Sequence, residues 1–495
     1  MAKQGLLGQV KPAAGTNTVL YSAPIASSAS TVLSVAAQGS ADSYDIAIKD
    51  HDQNLTLDAS TYKLHKGDVI TGYRFNLATN IPVTSALQPG SVLTSEDGEK
   101  SAIFESYYLE PFTTINVKEL TIRSITVTSV VGTFSVGETI SKGTAPNNTV
   151  ATIYAAAQGS GSTILYVGPS TINGSGSEFT DADALTASGG ATAAVETGGV
   201  GTGVDEYVFS TDAGVTYDMF LGSLLTVFSD RAYRFDTSDS SMSGTDFKLS
   251  ITVNGEWGPD NTAGTADDGV EFTTGKTTNG TAGSGGAYIQ YDFSQATLAG
   301  NLYFYDGDTG TAAKSAYGGS DRLLTVSTDF AYSAVYVYDI DGTWVDATDS
   351  FLANGVSYTV QTKTAGAYGY VRDFTGTACK VVKGLNSADF TTSDAFQDSP
   401  LLTTASRSTV AISAIALATT AVGAEMFLKK DNAIASDVTE ETKSLVLGPG
   451  ERVVIESNGG HCSFNIVGFE DASTAFTTRN FGSGAAADSG SGGGS

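Results

Sequence analysis

Short runs in which apolar and polar residues alternate recur in this chain at intervals of about ten residues, with turn-forming residues between them. The clearest run is residues 247–253, and residues 31–35 and 44–49 follow a similar pattern near the amino terminus. A period of two places successive side chains on opposite faces of a strand, so each run is expected to bury one face. The pattern predicts an all-β protein built from tandem small β-sandwich or barrel domains.

The size and composition of the chain agree with several small β-domains. A chain of 495 residues exceeds what a single hydrophobic core normally serves, so more than one domain is expected. Charged residues make up only 16 % of the sequence and 57 positions are Gly, which favours short strands and many turns over long surface helices. The net charge of −27 argues against nucleic-acid binding, because neutralising phosphates needs clustered Lys and Arg.

Neither a secretion signal nor a membrane helix is expected. The first nine residues include too few apolar side chains for a signal peptide, and no run approaches the ~18 apolar residues of a membrane helix. Cys379 and Cys462 are the only cysteines, and both lie in strand-like runs. We expect them to be buried thiols of a protein made in a reducing compartment.

Two distant segments share one turn pattern. Residues 64–68 (LHKGD) and 447–451 (LGPGE) both read Leu-x-x-Gly-acid, and a hydrophobic strand follows each. A Gly before an acid suits a tight reversal of the chain between two strands. Residues 15–80 and 398–470 are therefore predicted to be two copies of one small β-sandwich. This type of unit resembles the terminal β-domains of phage fibre and tail proteins.

A second duplication lies within residues 122–200. Residues 132–140 (GTFSVGETI) are echoed by 177–185 (SEFTDADAL), and a short apolar strand follows each. The Phe and the Ile or Leu six residues later are expected to share a strand face or to fix the two sides of a turn. The pattern resembles the Phe-x-x-Gly-Glu-x-Ile repeat of phage virion proteins. Repeats that bury a core by pairing are more typical of structural arrays than of enzymes.

The middle of the chain contains strand-like segments at 232–236 (AYRFD), 247–253 (FKLSITV), 288–291 (YIQY) and 302–308 (LYFYDGD). In this order they resemble the cupredoxin-like module of structural proteins from cyanobacterial tailed phages. Copper-binding members of that fold hold the metal with imidazole and thiolate, which are soft enough to favour copper. The resemblance places the ligand positions at residues that lack soft ligand atoms, namely Thr245, Asp306, Thr309 and Ala312. It therefore implies a sandwich kept for its shape, without copper or electron transfer.

Residues 320–397 are predicted to form a further small β-domain, with Asp341-Gly342 as a hairpin turn. Tyr336 and Tyr338 offer a platform for stacking a sugar ring, although tyrosine on a half-exposed sheet more often only packs. The predicted domains are an N-terminal sandwich (1–121), a duplicated module (122–200), a cupredoxin-like sandwich without copper ligands (201–319), a small β-domain (320–397), a C-terminal sandwich resembling the first (398–473) and a Gly/Ser/Ala-rich tail (474–495).

The sequence does not predict a catalytic, cofactor-binding or metal site. His51, His65 and His461 are the only histidines, and their wide separation leaves no His-based triad and no zinc site with workable spacing. We therefore predict that the chain is not an enzyme and carries no cofactor. One loop, residues 260–268 (DNTAGTADD), places oxygen ligands around a Gly as calcium loops do, but without the spacing of an EF-hand.

These patterns lead to the hypothesis of a non-enzymatic structural protein of a tailed-phage virion, assembled in the host cytoplasm and located in the tail, baseplate or fibre region. Its expected partners are other virion proteins and further copies of itself, because phage appendages follow the symmetry of their attachment point. Nucleic acid and membranes are not expected partners. Two alternatives stay open: a capsid decoration protein, and a host-surface glycan or receptor-binding protein that uses the tyrosine-rich region 330–371.

Overall fold

The computed structural model describes residues 4–58, 64–83, 87–159, 161–221, 225–298, 300–307, 320–384, 386–397, 409–416 and 421–473. Within these residues the chain forms strands β1 to β35, which confirms the predicted all-β class. Short 3-10 helices occur at Ser240–Met242, Gly255–Trp257, Phe293–Gln295 and Ala424–Met426. The strands group into two compact units: unit 1 comprises the described residues of 1–109, 331–402 and 407–495, and unit 2 those of 110–330.

Unit 1 takes its strands from both ends of the chain. The strands before residue 110 are β1 (Gln4–Val10), β2 (Thr18–Ser22), β3 (Ser27–Ala37), β4 (Asp42–Lys49), β5 (Gln53–Leu57), β6 (Val69–Thr71), β7 (Arg74–Pro82), β8 (Val92–Thr94) and β9 (Ser101–Tyr107). The strands after residue 330 are β25 (Ala331–Asp341), β26 (Ser350–Ala353), β27 (Val356–Thr364), β28 (Tyr368–Thr375), β29 (Ala378–Lys383), β30 (Ala395–Gln397), β31 (Thr409–Ile415), β32 (Phe427–Ile434), β33 (Thr439–Leu447), β34 (Arg452–Ser457) and β35 (Cys462–Ala472).

Unit 2 contains the remaining strands. They are β10 (Thr113–Val131), β11 (Thr139–Thr144), β12 (Asn147–Gln158), β13 (Thr163–Val167), β14 (Thr171–Ile172), β15 (Ala184–Ala187), β16 (Thr192–Val200), β17 (Val204–Ser210), β18 (Leu225–Phe228), β19 (Ala232–Asp236), β20 (Phe247–Ser250), β21 (Lys276–Asn279), β22 (Tyr288–Asp292), β23 (Gly300–Asp306) and β24 (Leu323–Ser327).

The two ends of the chain build one sandwich together, called here the terminal sandwich. Its sheets have the strand orders β1-β35-β3-β33 and β2-β34-β4-β32, so every sheet mixes strands from the two ends. β3 and β35 pair antiparallel from Ser27↔Ala472 to Ala37↔Cys462. Their inward side chains form a single core that includes Leu33 and Phe464, both fully buried. Removing apolar surface of this kind from water is the main stabilising contribution to such a sandwich.

The other sheets of unit 1 are two nearly closed six-stranded barrels. Barrel 1 has the order β30-β31-β5-β29-β28-β6, and its end strands β6 and β30 contact each other. Barrel 2 has the order β26-β27-β7-β25-β9-β8, and an isolated bridge between Ser95 and Phe351 joins its ends. The core of barrel 1 draws buried residues from all six of its strands. Near-closure of this kind brings the two edge strands of each sheet together and leaves little of either edge open.

Unit 2 contains a third barrel with the same connectivity. Barrel 3 consists of the second half of β10 with β11, β12, β13, β15 and β16, and it closes because β10 pairs with both β13 and β16. All three barrels are made of two halves, each with a strand, a turn, a short strand and a strand. When the first half of one barrel is compared with the first half of another, and the second with the second, the strands follow the same order around the ring. The chain therefore forms the same barrel topology three times.

One turn recurs at the start of the short strand in every half-barrel. Its first and seventh residues are buried, and the fifth residue accepts a hydrogen bond from the N–H of the second, as in Ser135 to Glu138 (3.1 Å) and Thr180 to Asp183 (2.6 Å). The residue before the acceptor has positive φ in most copies, for example Gly137. The described chain holds copies at 64–70, 87–93, 134–140, 179–185, 390–396 and 447–453, and one with an added residue at 344–351.

The domains follow one another by insertion rather than in tandem. Barrel 2 and unit 2 lie in the chain between β6 and β28, within the first half of barrel 1, and unit 2 lies between the two halves of barrel 2. Three of the predicted domains are therefore not separate domains in the structure, because each contributes strands to sheets that another segment completes. They are the segments 1–121, 320–397 and 398–473. The two Leu-x-x-Gly-acid turns belong to barrel 1 and to the terminal sandwich, so they do not mark two copies of one sandwich.

The rest of unit 2 is a sandwich of two sheets. The first half of β10 pairs with β17 and β19 and continues through β22 to β21, and the facing sheet has the order β18-β24-β23-β20. Phe235, Phe247 and Phe304 are buried in its core. The predicted boundaries of 201–319 are narrower than this sandwich, because β10 runs without a break from the sandwich into barrel 3 and β24 extends to Ser327.

Unit 1 is expected to fold without unit 2. Tyr107 pairs with Val335, and the N–H of Tyr108 donates to the carbonyl of Ala334 (2.9 Å), so the two cut ends are neighbours in barrel 2. Replacing residues 110–330 with a short Asn-Gly hairpin should give a folded chain with strand-rich circular dichroism and cooperative thermal unfolding. A chain truncated after residue 397 is the control, because it lacks strands of barrel 1 and of the terminal sandwich. Non-cooperative unfolding of the hairpin variant would contradict the nested assembly.

The carboxylate of the turn should stabilise barrel 3 in a pH-dependent way. Partial burial raises the pKa of Asp183, but hydrogen bonds from Lys142 and Thr180 outweigh burial and hold that pKa below its ordinary value. The stabilisation is therefore complete above the unfolded-state pKa of about 4 and is lost as pH falls towards the folded-state pKa. Asp183→Asn should cost about 1 kcal/mol at pH 7 in urea unfolding, and the difference should shrink by pH 3. The exposed neighbour change Asp181→Asn should cost little at either pH.

Candidate functional site

The three histidines have separate structural roles. His51 is buried, and its Nδ1 lies 2.5 Å from a carboxylate oxygen of Asp50. His65 is exposed and belongs to a turn of barrel 1, where its backbone N–H donates to Asp68. His461 uses its backbone N–H to hold the start of β35. Each histidine is thus engaged by its own local structure.

Both cysteines are buried and unpaired, as the sequence predicted. Burial, together with nearby carboxylates, raises the pKa of the Cys379 thiol to about 12 and that of Cys462 to about 11. A thiol with such a pKa is protonated at neutral pH and is therefore a poor nucleophile and a poor metal ligand. The two residues act as small apolar side chains in the cores of barrel 1 and of the terminal sandwich.

Two of the four positions that correspond to copper ligands lie within the described residues. Thr245 is buried, and its hydroxyl donates to the carbonyl of Met242 at 2.8 Å. Asp306 is buried, and it accepts the backbone N–H of Asp246 at 2.8 Å. These side chains make hydrogen bonds that hold the loops at this end of the sandwich. Positions Thr309 and Ala312 lie outside the described residues.

The loop 260–268 brings three carboxylates together. Oxygen atoms of Asp260, Asp267 and Asp268 lie within 4.8 Å of one another, and the first two residues are exposed. The hydroxyl of Thr265 lies 2.7 Å from Asp267, and its backbone N–H donates to Asp268 at 3.0 Å. Such a set of hard oxygen donors suits Ca²⁺ better than a transition metal. Elsewhere in the described chain no other group of three His, Cys, Asp or Glu residues meets the same spacing.

The predicted tyrosine platform is not formed by the residues named for it. Tyr336 and Tyr338 are each only 5 % exposed. The ring of Tyr336 meets Tyr108 edge to face with centroids 5.6 Å apart, and that of Tyr338 meets Tyr370 in the same way at 6.2 Å. Stacking on a sugar needs an open ring face, and neither residue provides one. Tyrosines on a strand were expected either to pack or to expose a ring face for a sugar. In the structure both rings pack against other tyrosines.

An open cleft lies in unit 1 where barrels 1 and 2 approach each other. It has two compartments, of about 490 and 260 Å³, which share the lining residues Ala365, Gly366 and Asp394. The backbones come close here because a Cβ atom on Gly366 would lie 2.5 Å from the carbonyl carbon of Gly72. The two glycines therefore bring strands of different barrels together at the floor of the cleft.

Polar and aromatic side chains line this cleft. In the smaller compartment the guanidinium of Arg74 lies over the ring of Tyr108, 3.9 Å from its centroid, and donates to Thr364 at 3.5 Å. Asp394 borders both compartments, and Tyr73 lines the larger one. The sequence pattern predicted none of these as a group, because they come from strands that are distant in the chain.

The outer sheet of the terminal sandwich carries an exposed apolar surface, called here the apolar face. Leu6 is 59 % exposed, Val446 65 %, Val467 41 % and Phe469 50 %. Val467 pairs with both Leu6 and Val32, so these three side chains lie side by side across three strands. Phe469 lies two residues further along β35 and therefore on the same face. A contiguous apolar surface of this kind is typical of a protein–protein contact.

Calcium titration tests the acidic loop directly. If loop 260–268 binds Ca²⁺, millimolar calcium should raise the melting temperature of the sandwich in unit 2, because a ligand of the folded state stabilises it by mass action. Asp267→Asn should remove the rise, whereas Asp181→Asn, in a different module, should leave it unchanged. An unchanged melting temperature at millimolar calcium would end the hypothesis.

Comparison with known proteins gave no assignment: no family model, no curated protein and no solved structure matches this chain. Among the described residues, none of the helices has the length and apolar character required to cross a bilayer. The geometry of the cleft, the acidic loop and the apolar face is therefore the basis on which function is proposed.

Proposed function

We propose that this chain is a structural component of a tailed-phage virion that acts through protein–protein contacts in the tail, baseplate or fibre region. The observation that supports this best is the apolar face of the terminal sandwich. The resemblance of several segments to phage virion proteins is the reason for proposing this location. The apolar face is the reason for proposing that the protein acts through contacts.

The electrostatics of the chain favour contact at this surface. The net charge of −27 makes two copies repel each other over most of their surfaces. On the apolar face, Phe469 pairs with Gln4 and Ser30, and Ser30 pairs with Val446, so the paired neighbours carry no charge. The exposed carboxylate of Asp471 lies two residues beyond Phe469 on the same strand, so the part of the face with least repulsion between copies is that around Val467 and Phe469. We propose a homo-oligomer assembled through this face.

The three barrels support a structural role in a second way. Each repeats one topology and one turn, and their core side chains are used for packing. Repetition of a stable unit adds length and surface without adding chemistry, which suits an assembled particle. We accordingly propose a non-enzymatic role. Decoration of the capsid is the alternative location, and the contacts proposed here would serve it equally well.

Disrupting the apolar face should dissociate the oligomer. Phe469→Glu places a charge at its centre and should weaken self-association about 30-fold or more, since a central interface residue typically contributes 2 kcal/mol or more. Sedimentation velocity over a range of concentrations measures the change. The matched control is Val215→Glu, which adds the same charge at a residue that is 82 % exposed in unit 2 and should leave association intact. A wild-type chain that stays monomeric at high micromolar concentration would contradict the proposal.

A further inference from the structure

We propose that the cleft between barrels 1 and 2 binds an acidic oligosaccharide, with the carboxylate of a uronic acid on Arg74 and a neighbouring sugar in the larger compartment. This inference goes beyond the structural role, because it uses a different surface of unit 1 and a different kind of partner. It also replaces Tyr336 and Tyr338 as the glycan-contacting residues, since both are buried.

Arg74 is the first reason. Its side chain is half-buried, and no carboxylate among the described residues lies within 4.0 Å of its guanidinium. Its one side-chain hydrogen bond is the long contact of 3.5 Å with Thr364. Five of the seven described arginines have an acid within 4.0 Å, and only Arg74 and Arg234 do not. Arg234 donates to Gln290 at 3.0 Å, whereas Arg74 has only its long contact with Thr364. A guanidinium held in place with free N–H groups is suited to a bidentate contact with a ligand carboxylate.

The second reason is the shape of the cleft around that charge. Tyr108 supports the guanidinium from one side, which fixes its direction without neutralising it. Tyr73 is half-buried in the larger compartment. Aromatic rings beside polar groups are a common way to hold the apolar face of a sugar ring. A compartment of about 490 Å³ falls within the range of small-molecule sites, and the adjoining 260 Å³ suits a single ring.

The remaining polar groups favour hydroxyl-rich ligands over polyanions. Asp394 borders both compartments, and its Oδ2 accepts two bonds from Thr391, while its Oδ1 has no hydrogen-bond partner among the described residues. The exposed side chain of Asn386 and the carboxylate of Asp389 line the larger compartment. Carboxylates repel nucleic acid and strongly acidic peptides, but they accept hydrogen bonds from sugar hydroxyls. One anionic group beside neutral hydroxyls therefore fits best.

The test compares two saccharides on the full wild-type chain. Isothermal titration calorimetry would use a disaccharide of glucuronic acid and N-acetylglucosamine, and the same disaccharide with glucose in place of glucuronic acid. Loss of the charged contact should weaken binding about 10- to 100-fold. Equal affinity for the two sugars, or no binding of the acidic one at millimolar concentration, would overturn the proposal. Equal binding of a glutamate-rich tripeptide would assign the cleft to peptides and would overturn it as well.

Substitution of the arginine tests the site itself. Arg74→Gln should weaken binding of the acidic disaccharide about 10- to 100-fold and leave the neutral one unchanged. The matched control is Arg234→Gln, since Arg234 is also stacked on a ring, 3.9 Å from that of Tyr288, but lies in unit 2. Circular dichroism and melting temperature check that both variants fold. Unchanged affinity in a folded Arg74→Gln chain would exclude the cleft. Phe469→Glu changes the apolar face and leaves the cleft intact. Sugar binding and self-association can therefore succeed or fail independently of each other.

Discussion

Antiparallel pairing between distant parts of the chain is the constraint on which unit 1 depends. β3 can complete its sheet only when β35 arrives, and their ladder runs from Ser27↔Ala472 to Ala37↔Cys462. Barrels 1 and 2 are closed in the same way by strands that follow the insertion. Loop-closure entropy opposes such contacts, so unit 1 is expected to fold slowly and as a whole. The insertion itself joins barrel 2 through neighbouring strands, which reduces the disturbance it causes.

The recurrent turn supports this nested assembly, because it fixes the chain reversal that precedes a barrel strand by local contacts alone. Its two buried residues reach the core, and its acidic side chain holds the backbone of the reversal, wherever the half-barrel lies in the sequence. Copies at 134–140 and 179–185 fold next to each other in barrel 3. Copies at 64–70 and 390–396 use the same contacts although several hundred residues of chain separate them. The half-barrel is thus the unit that the chain repeats.

Much of the local structure could be predicted from the sequence, and most of the tertiary organisation could not. Alternation predicted the strands, and the spacing of Phe134 and Ile140 predicted either a shared strand face or the two sides of a turn. The structure has the turn, with both residues buried. The turn at 87–93 does not show the sequence pattern, because Ser91 replaces the acid. The turn at 344–351 does not show it either, because it contains an added residue. Many strands pair with strands that are distant in the sequence, so no local sequence pattern identifies their partners. The cleft was missed for the same reason, since Arg74 and Asp394 meet only after both barrels close.

The proposed function assigns separate surfaces to separate tasks. We propose that the apolar face joins copies of the chain and that the cleft selects a sugar, while barrels 1 and 2 carry the residues that line the cleft. The most direct test of the proposed contact role is a cryo-electron microscopy map of the particle in which we propose that this protein assembles. The account predicts that protein density covers Leu6, Val446 and Phe469 in every copy. A map in which this face is open to solvent, while other surfaces hold the chain in the particle, would contradict it.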